Sequence, residues 1–302
     1  MTLVVEPHDA SFSLRAGRWA ISLFFGFWQL VRRPPKPPGA VDEHAYGSDP
    51  AERLEFIAPR AGAPQRAPIV YVHGGGWIMG HKESYTRFLS FLAEAGFPIF
   101  NLEYPLAPEN PHPGILRSLL AAFDWIRSEH PDVRGVHVMG DSAGGNLAMM
   151  LGLLASNPEL VRAVDPERAK VPLTCHSVVS LYGVLDRLSW IEDGFPGAES
   201  MLEGYGGPAA FEAEVGPELA ITPLDLEFAA APPSFLAAGT EDQLCRSSQL
   251  FARRLASGPG KVVHKEYPGE GHGFFNIGRS KSDAQLRSDI FEFLEAEDPT
   301  SG

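Results

Sequence analysis

Cysteine is scarce: Cys175 and Cys245 are the only two in 302 residues. A pair is no disulfide framework, and it reads as two buried thiols of a cytosolic protein, with a single bridge as the alternative. Positive charge is also short. Lys and Arg number 25 against 38 Asp and Glu, a formal net charge of −13, which repels the phosphates of nucleic acid. The most basic stretch, VRRPPKPP at 31–38, is short and proline-rich. Metal-ligand spacing is missing as well. Ten histidines are scattered, no pair sitting at ligand spacing beside a third ligand, so no metal is expected and no other cofactor is called for.

Long hydrophobic runs are missing too. The most apolar window is RWAISLFFGFWQLV at 18–31, uninterrupted from Trp19 to Val31. As a helix that part spans about 20 Å, short of the ~30 Å of a bilayer core. A cleaved signal fits poorly, because Glu6 and Asp9 precede the window and no small-x-small site follows before the prolines. The segment is expected to lay its aromatic face on the body of the protein. The sharper alternative is peripheral membrane contact through residues 18–31, as an interfacial anchor.

What is present is an alternation. RLEFIAP, PIVYV, PIFNL, GVHVMG, CHSVVSL, SFLAAG and KVVHKEYP read as strands. Between them, ESYTRFLSFLAEAG, the periodic set Leu116, Leu119, Leu120, Phe123 and Ile126, SAGGNLAMMLGLLA, 246–257 and 281–296 read as helices. Strands alternating with helices predict a mostly parallel central sheet flanked by helices, an α/β fold. From Arg187 to Leu226 the rhythm breaks, with six glycines, four prolines and no clear strand. A stretch this long inside a compact domain is expected to form a lid over a site.

The chemistry concentrates at turns. VMGDSAGGN, 138–146, contains Gly-x-Ser-x-Gly between an apolar strand and a small-residue helix, the setting in which a strained turn raises a serine hydroxyl above the sheet. Ser142 is therefore the candidate nucleophile, with a helix N-terminus behind it that favours negative charge. VHGGGWIMG, 72–80, places three glycines after a buried strand, where backbone N–H groups can approach a developing oxyanion without side chains in the way. Gly74 and Gly75 are the expected donors, with the Ala143 N–H as the third. His73 is expected to hold that loop through a hydrogen bond, and Trp77 to wall the substrate pocket. His272, in YPGEGHGFF, is the candidate base; His176 and His264 lie inside strand patterns and read as packed. Three acids can orient the base on spacing alone: Asp242, its neighbour Glu241, and Asp186.

With these residues assembled, the chain resembles the hormone-sensitive-lipase-like (family IV) esterases of the α/β-hydrolase fold, in the branch carrying a GDSAG motif. The resemblance runs from about residue 50 to 296 and rests on HGGGW, YPLAPENPHP, GDSAGGN, GTEDQL and YPGEGHGF, in that order. It implies Asp242 as the acid and a two-part cap. The implied organisation is an N-terminal cap segment at 1–45, core at 46–186, a cap insertion at 187–226 and core again at 227–302. It further implies a serine carboxylesterase acting on a small-molecule ester with short- to medium-chain acyl groups. An amidase or formamidase with the same triad, or a ligand receptor on the hydrolase fold, are the alternatives, and a homodimer is an open arrangement. The chain departs from the pattern at Pro105, where the motif usually has arginine, at Gln243, and at Arg246 and Ser247.

Overall fold

The computed structural model describes residues 6–7, 9–12, 14–19, 35–168, 170, 172–258, 260–277 and 280–300. Phe24, Phe25, Phe27 and Trp28, expected to contribute to a cap, lie outside the described residues. Eight strands form one sheet in the order β1-β2-β4-β3-β5-β6-β7-β8. They are β1 (Val41–Ala45), β2 (Arg53–Ile57), β3 (Ile69–Val72), β4 (Ile99–Leu102), β5 (Gly135–Asp141), β6 (Thr174–Leu181), β7 (Ser234–Gly239) and β8 (Val262–Tyr267). The β1–β2 and β2–β4 pairs are antiparallel and the rest parallel.

Sequence explains the centre of this sheet. β3, β4 and β5 are buried at every position, as strands covered on both faces must be, so their apolar runs are continuous and not alternating. On one face lie α3 (Gly114–Glu129) and α4 (Ala143–Ser156). α3 turns Ile115, Leu116, Leu119, Leu120, Phe123 and Ile126 inward at helical spacing. The other face is covered by α2 (Ser90–Glu94), α9 (Phe274–Ile277) and α10 (Asp283–Ala296), with Phe88, Leu92, Phe275, Leu286 and Ile290 in a second core. Helices α5 (Pro158–Val164) and α8 (Cys245–Ala256) complete the core. Both cysteines are free. No helix among the described residues is long and apolar enough to cross a membrane.

Two sequence readings need correction. The helix expected over 83–96 is reduced to a 3₁₀ turn at Lys82–Ser84 and to α2, because its polar first half is spent on tertiary bonds: Thr86 Oγ1 donates to Glu55 at 2.6 Å and Tyr85 OH to Asp141 at 3.1 Å. The expected N-terminal cap segment, 1–45, overlaps the sheet, since β1 pairs with β2 from Val41 to Ala45. Its sequence VDEHA lies at an exposed edge, so it carries no apolar alternation to announce a strand.

Residues 187–226 contain α6 (Arg187–Glu192), α7 (Ala198–Gly206) and single turns of 3₁₀ helix at 207–211 and 223–225, without a strand. They are tied together by fully buried Arg187. Its Nε donates to the Asp225 carboxylate at 3.0 Å, and its Nη1 to the carbonyls of Ala210 and Glu212 at 2.9 and 2.6 Å. At the other end of the chain, a helix α1 is described at residues 12 and 14–19. Leu14 packs it on the core, and Arg18 pairs with Glu109 at 2.7 Å. That pair gives Glu109 a guanidinium partner in a motif where Pro105 has replaced the usual arginine.

Candidate active site

The sharp turn from β5 into α4 sets Ser142 at φ 53° and ψ −123°, a strained conformation for a residue with a side chain. The turn closes because its neighbours are small: a Cβ on Gly144 would lie 2.1 Å from the Val72 carbonyl oxygen. The Ser142 N–H is held by the Leu181 carbonyl at 2.8 Å.

His272 reaches this serine from the loop after β8. Its Nε2 lies 3.0 Å from Ser142 Oγ, and its Nδ1 lies 2.9 Å from Asp242 Oδ2. A carboxylate only accepts, so Nδ1 carries the proton and Nε2 is left to receive one from the hydroxyl. Asp242 follows β7, is buried, and is fixed by the Leu244 N–H donating to Oδ1 at 2.9 Å. Neither of the other two acids is the hydrogen-bond partner of His272. Asp186 caps α6 by accepting from the Ser189 N–H at 3.0 Å, and Glu241 is exposed. The edges of Tyr182 and Phe195 press on the His272 ring at centroid distances of 5.0 and 4.9 Å. Of the histidines set aside in the sequence, His264 lies in β8, and His176 in β6, 5.7 Å from the His137 ring.

The glycine loop differs from expectation at one position. The Gly74 N–H donates to Asp141 Oδ1 at 2.9 Å, so it has no proton left to offer a substrate oxygen. Among the described residues the N–H groups of Gly75, Gly76 and Ala143 carry no backbone partner. Gly75 and Gly76 have φ of 126° and 60°, and a Cβ would meet the Met79 carbonyl oxygen at 2.0 Å or Met201 Sδ at 2.3 Å respectively. At Gly75 the obstacle is backbone and only glycine fits; at Gly76 the left-handed φ favours glycine and a side chain would displace Met201.

Asp141 is fully enclosed and accepts four hydrogen bonds, from Gly74 N–H, Tyr71 OH, Tyr85 OH and Asn276 Nδ2. Burial raises its pKa, and these donors oppose the rise. His73 lies beneath the same loop, with Nδ1 2.8 Å from the Gly74 carbonyl and Nε2 3.0 Å from Glu103. Both neighbours are acceptors, which suits a ring protonated on both nitrogens. Burial works against that charge, but the Glu103 carboxylate and the Gly74 carbonyl outweigh it and raise the His73 pKa. The partner Glu103 is correspondingly held well below the usual carboxylate range despite its burial.

Trp77 does not wall the pocket. It is wholly buried, stacked on Tyr205 at 4.6 Å, with its Nε1 donating to Asn146 Oδ1 at 3.3 Å. Its positive φ of 62° accompanies a side chain that lies between loop, α4 and α7, where it joins the glycine loop to the insertion. Asn146 extends that joint by donating to the carbonyls of Val184 and Ile221 at 2.7 and 2.9 Å.

Ser142 and His272 open onto a cavity of about 320 Å³. Met79, His81, Ser84 and Tyr85 line one side; Trp190, Phe195 and Met201 enter from the insertion. A larger hollow of about 430 Å³ near His130 and His176 is lined by neither Ser142, His272, Asp242 nor the glycine loop. Among the described residues one group has metal-ligand proximity, His81, Glu83 and Glu103, whose ligand-type atoms lie within 4.8 Å of one another. Its carboxylates are already engaged, Glu83 by Lys82 and Glu103 by His73. Sequence reading missed Asp141, Glu103, Asn146 and Met201. Asp141 was within sight, being part of the motif itself; Met201 has no local signal at all.

The chain is similar to known proteins in family and in fold. A family model described as alpha/beta hydrolase fold matches residues 69–276. Esterase LipC of Mycobacterium tuberculosis is 27% identical over 268 residues, covering 82% of this chain and 65% of LipC. Mouse (Mus musculus) hormone-sensitive lipase is 37% identical over 129 residues, covering 40% of this chain and 17% of that protein. The chain thus spans less than two thirds of either relative. Among solved structures, esterase B from Lactobacillus rhamnosis superposes with a TM-score of 0.78 at 19% identity, covering 94% of this chain and 95% of that one, a likeness of fold.

Proposed function

This chain belongs to the alpha/beta hydrolase fold family and, within it, to the hormone-sensitive-lipase-like esterases, and from that premise we propose that it is a serine carboxylesterase hydrolysing short- to medium-chain acyl esters with Ser142, His272 and Asp242. The observation that carries the reading is the unbroken line from Asp242 Oδ2 through His272 to Ser142 Oγ, with links of 2.9 and 3.0 Å. His272 Nε2 takes the hydroxyl proton as Oγ attacks the ester carbonyl, and Asp242 stabilises the imidazolium that forms. The carbonyl oxygen becomes an oxyanion and is met by the N–H groups of Gly75, Gly76 and Ala143, in place of the set with Gly74. Donors fixed in advance cost no reorganisation as charge develops.

His272 then protonates the leaving alcohol, and water repeats the sequence on the acyl-enzyme. Residues 187–226 act as a cap whose Trp190, Phe195 and Met201 give the acyl group an apolar wall and keep out bulk water. A cavity of about 320 Å³ suits acyl chains of modest length. The complete triad counts against a receptor that only binds, and the named esterase and lipase relatives favour an ester over an amide.

The test is covalent. Incubation with an aryl phosphonate ester, followed by peptide mass analysis, is expected to place one adduct on Ser142. Labelling elsewhere, or none in folded protein, contradicts the mechanism.

A further inference from the structure

α1 has two faces. Leu14, Gly17 and Arg18 turn inward and are partly buried, whereas Phe12, Arg15, Ala16 and Trp19 are exposed. The exposed four recur at i, i+3, i+4 and i+7, a single stripe along the helix. Phe12 is 88% and Trp19 68% exposed, well above the other exposed large apolar residues described, Val41 and Phe211, at 40% and 44%. Large aromatics left this open mark a contact, because they gain most by leaving water.

Charge indicates what the contact is with. Between Asp9 and Asp42 the sequence holds Arg15, Arg18, Arg32, Arg33 and Lys36 and no acid, in a chain whose net charge is −13. Arg18 is spent on Glu109; the rest of the set gives this one segment a sign opposite to that of the molecule. Aromatics flanking an arginine, within a basic segment, match the two phases of a lipid surface: acyl boundary for the rings, anionic head groups for the cations.

We propose that the outward face of α1 docks this protein on lipid bilayers bearing anionic head groups. The helix is fixed to the catalytic machinery. Arg18 Nε donates to the Ile78 carbonyl at 2.6 Å and Nη2 to the Ala107 carbonyl at 2.7 Å. Ile78 adjoins Met79, which lines the catalytic cavity. Docking therefore holds the glycine loop beside the lipid surface, where apolar esters accumulate. The docking stands whether or not the esterase reading does.

The experiment is vesicle flotation of the full chain, with phosphatidylcholine vesicles containing or lacking phosphatidylglycerol, read by bound fraction. The variants are Phe12→Ser/Trp19→Ser and Arg15→Gln, each checked by thermal melting and by sedimentation velocity without lipid. Wild type is expected to float with the anionic vesicles, less so as salt rises. The double variant, melting as wild type does, is expected to lose at least about tenfold in partitioning, and Arg15→Gln to lose binding to anionic vesicles only. Wild type that floats with neither vesicle, or a double variant that floats unchanged, overturns the proposal. So does a wild-type dimer that the double variant converts to monomer, which makes the stripe a subunit contact.

Discussion

At the scale of single residues, the proposed nucleophile Ser142 and its hydrogen-bonded partner His272 were legible because the chemistry proposed for them demands a local pattern. A strained strand-to-helix turn permits little but small residues, so Gly140, Ser142 and Gly144 write themselves into the sequence. Partner choice was less legible. Gly74 lost its expected role to a hydrogen bond with Asp141, a contact across 67 positions of chain that no local pattern encodes. Gly75→Ala tests the reassigned donors: its Cβ would lie 2.0 Å from the Met79 carbonyl oxygen at a φ of 126°. The loop must shift, and kcat is expected to fall by about two to three orders of magnitude, the usual cost of one lost donor. Activity within tenfold of wild type would return the hole to other groups. Trp77→Phe probes the second reassignment. Loss of the bond to Asn146 and of ring volume should cost about 1–3 kcal/mol in denaturant unfolding. Because Trp77 lines no part of the cavity, its chain-length profile on p-nitrophenyl esters should match wild type; a shifted profile would restore Trp77 to the pocket wall.

At the scale of elements, buried strands and amphipathic helices were readable from period and composition, whereas elements held by tertiary contact were not. β1 is an exposed edge strand, and the turns before α2 are organised by Glu55 and Asp141 from elsewhere in the chain. The insertion at 187–226 could be recognised as irregular, but the sequence does not reveal that Arg187 ties it together or that α7 lays Met201 against Gly76. That last contact makes a prediction about selectivity. Met201 lines the cavity from the insertion, so Met201→Ala deepens the apolar space by several heavy atoms. The ratio of kcat/KM for p-nitrophenyl octanoate over butyrate should rise by about tenfold or more, since one methylene group in a fitted pocket is worth ~10-fold at the low end. An unchanged ratio would mean that the acyl chain runs along the opposite wall, past Met79 and Tyr85. Arg246, which departs from the usual motif, also acts at this scale: it pairs with Glu192 and Asp193 at 2.7 and 3.0 Å and so joins α8 to the end of α6.

At the scale of the whole molecule, burial of histidine sets the response to acid. Burial pushes His112 and His137 down to about 4 each, leaving both neutral in the folded state. In the unfolded chain each titrates near ~6.5. Between about 6.5 and 4 the unfolded state thus binds more protons, and stability falls as pH drops through that window, by up to about 3 kcal/mol for each histidine. Above it neither contributes. His73 works in the opposite sense: its pKa is raised, so its stabilisation is full below the unfolded value and fades as pH climbs through the folded one. Melting temperature should fall between pH 7 and pH 4.5, and fall less in His137→Gln; equal slopes for variant and wild type would remove His137 from the explanation. None of this was visible in the sequence, where a histidine inside a strand looks the same whether paired, orphaned or exposed.

The most direct measurement is the initial rate on p-nitrophenyl butyrate for wild type and Ser142→Ala, purified together and shown to melt alike. Wild type should turn the ester over and the variant should be slower by about four to six orders of magnitude, as hydrolases stripped of their nucleophile are. A variant that retains wild-type activity, or a folded wild type inert toward this ester and its longer homologues, would contradict hydrolysis through Ser142.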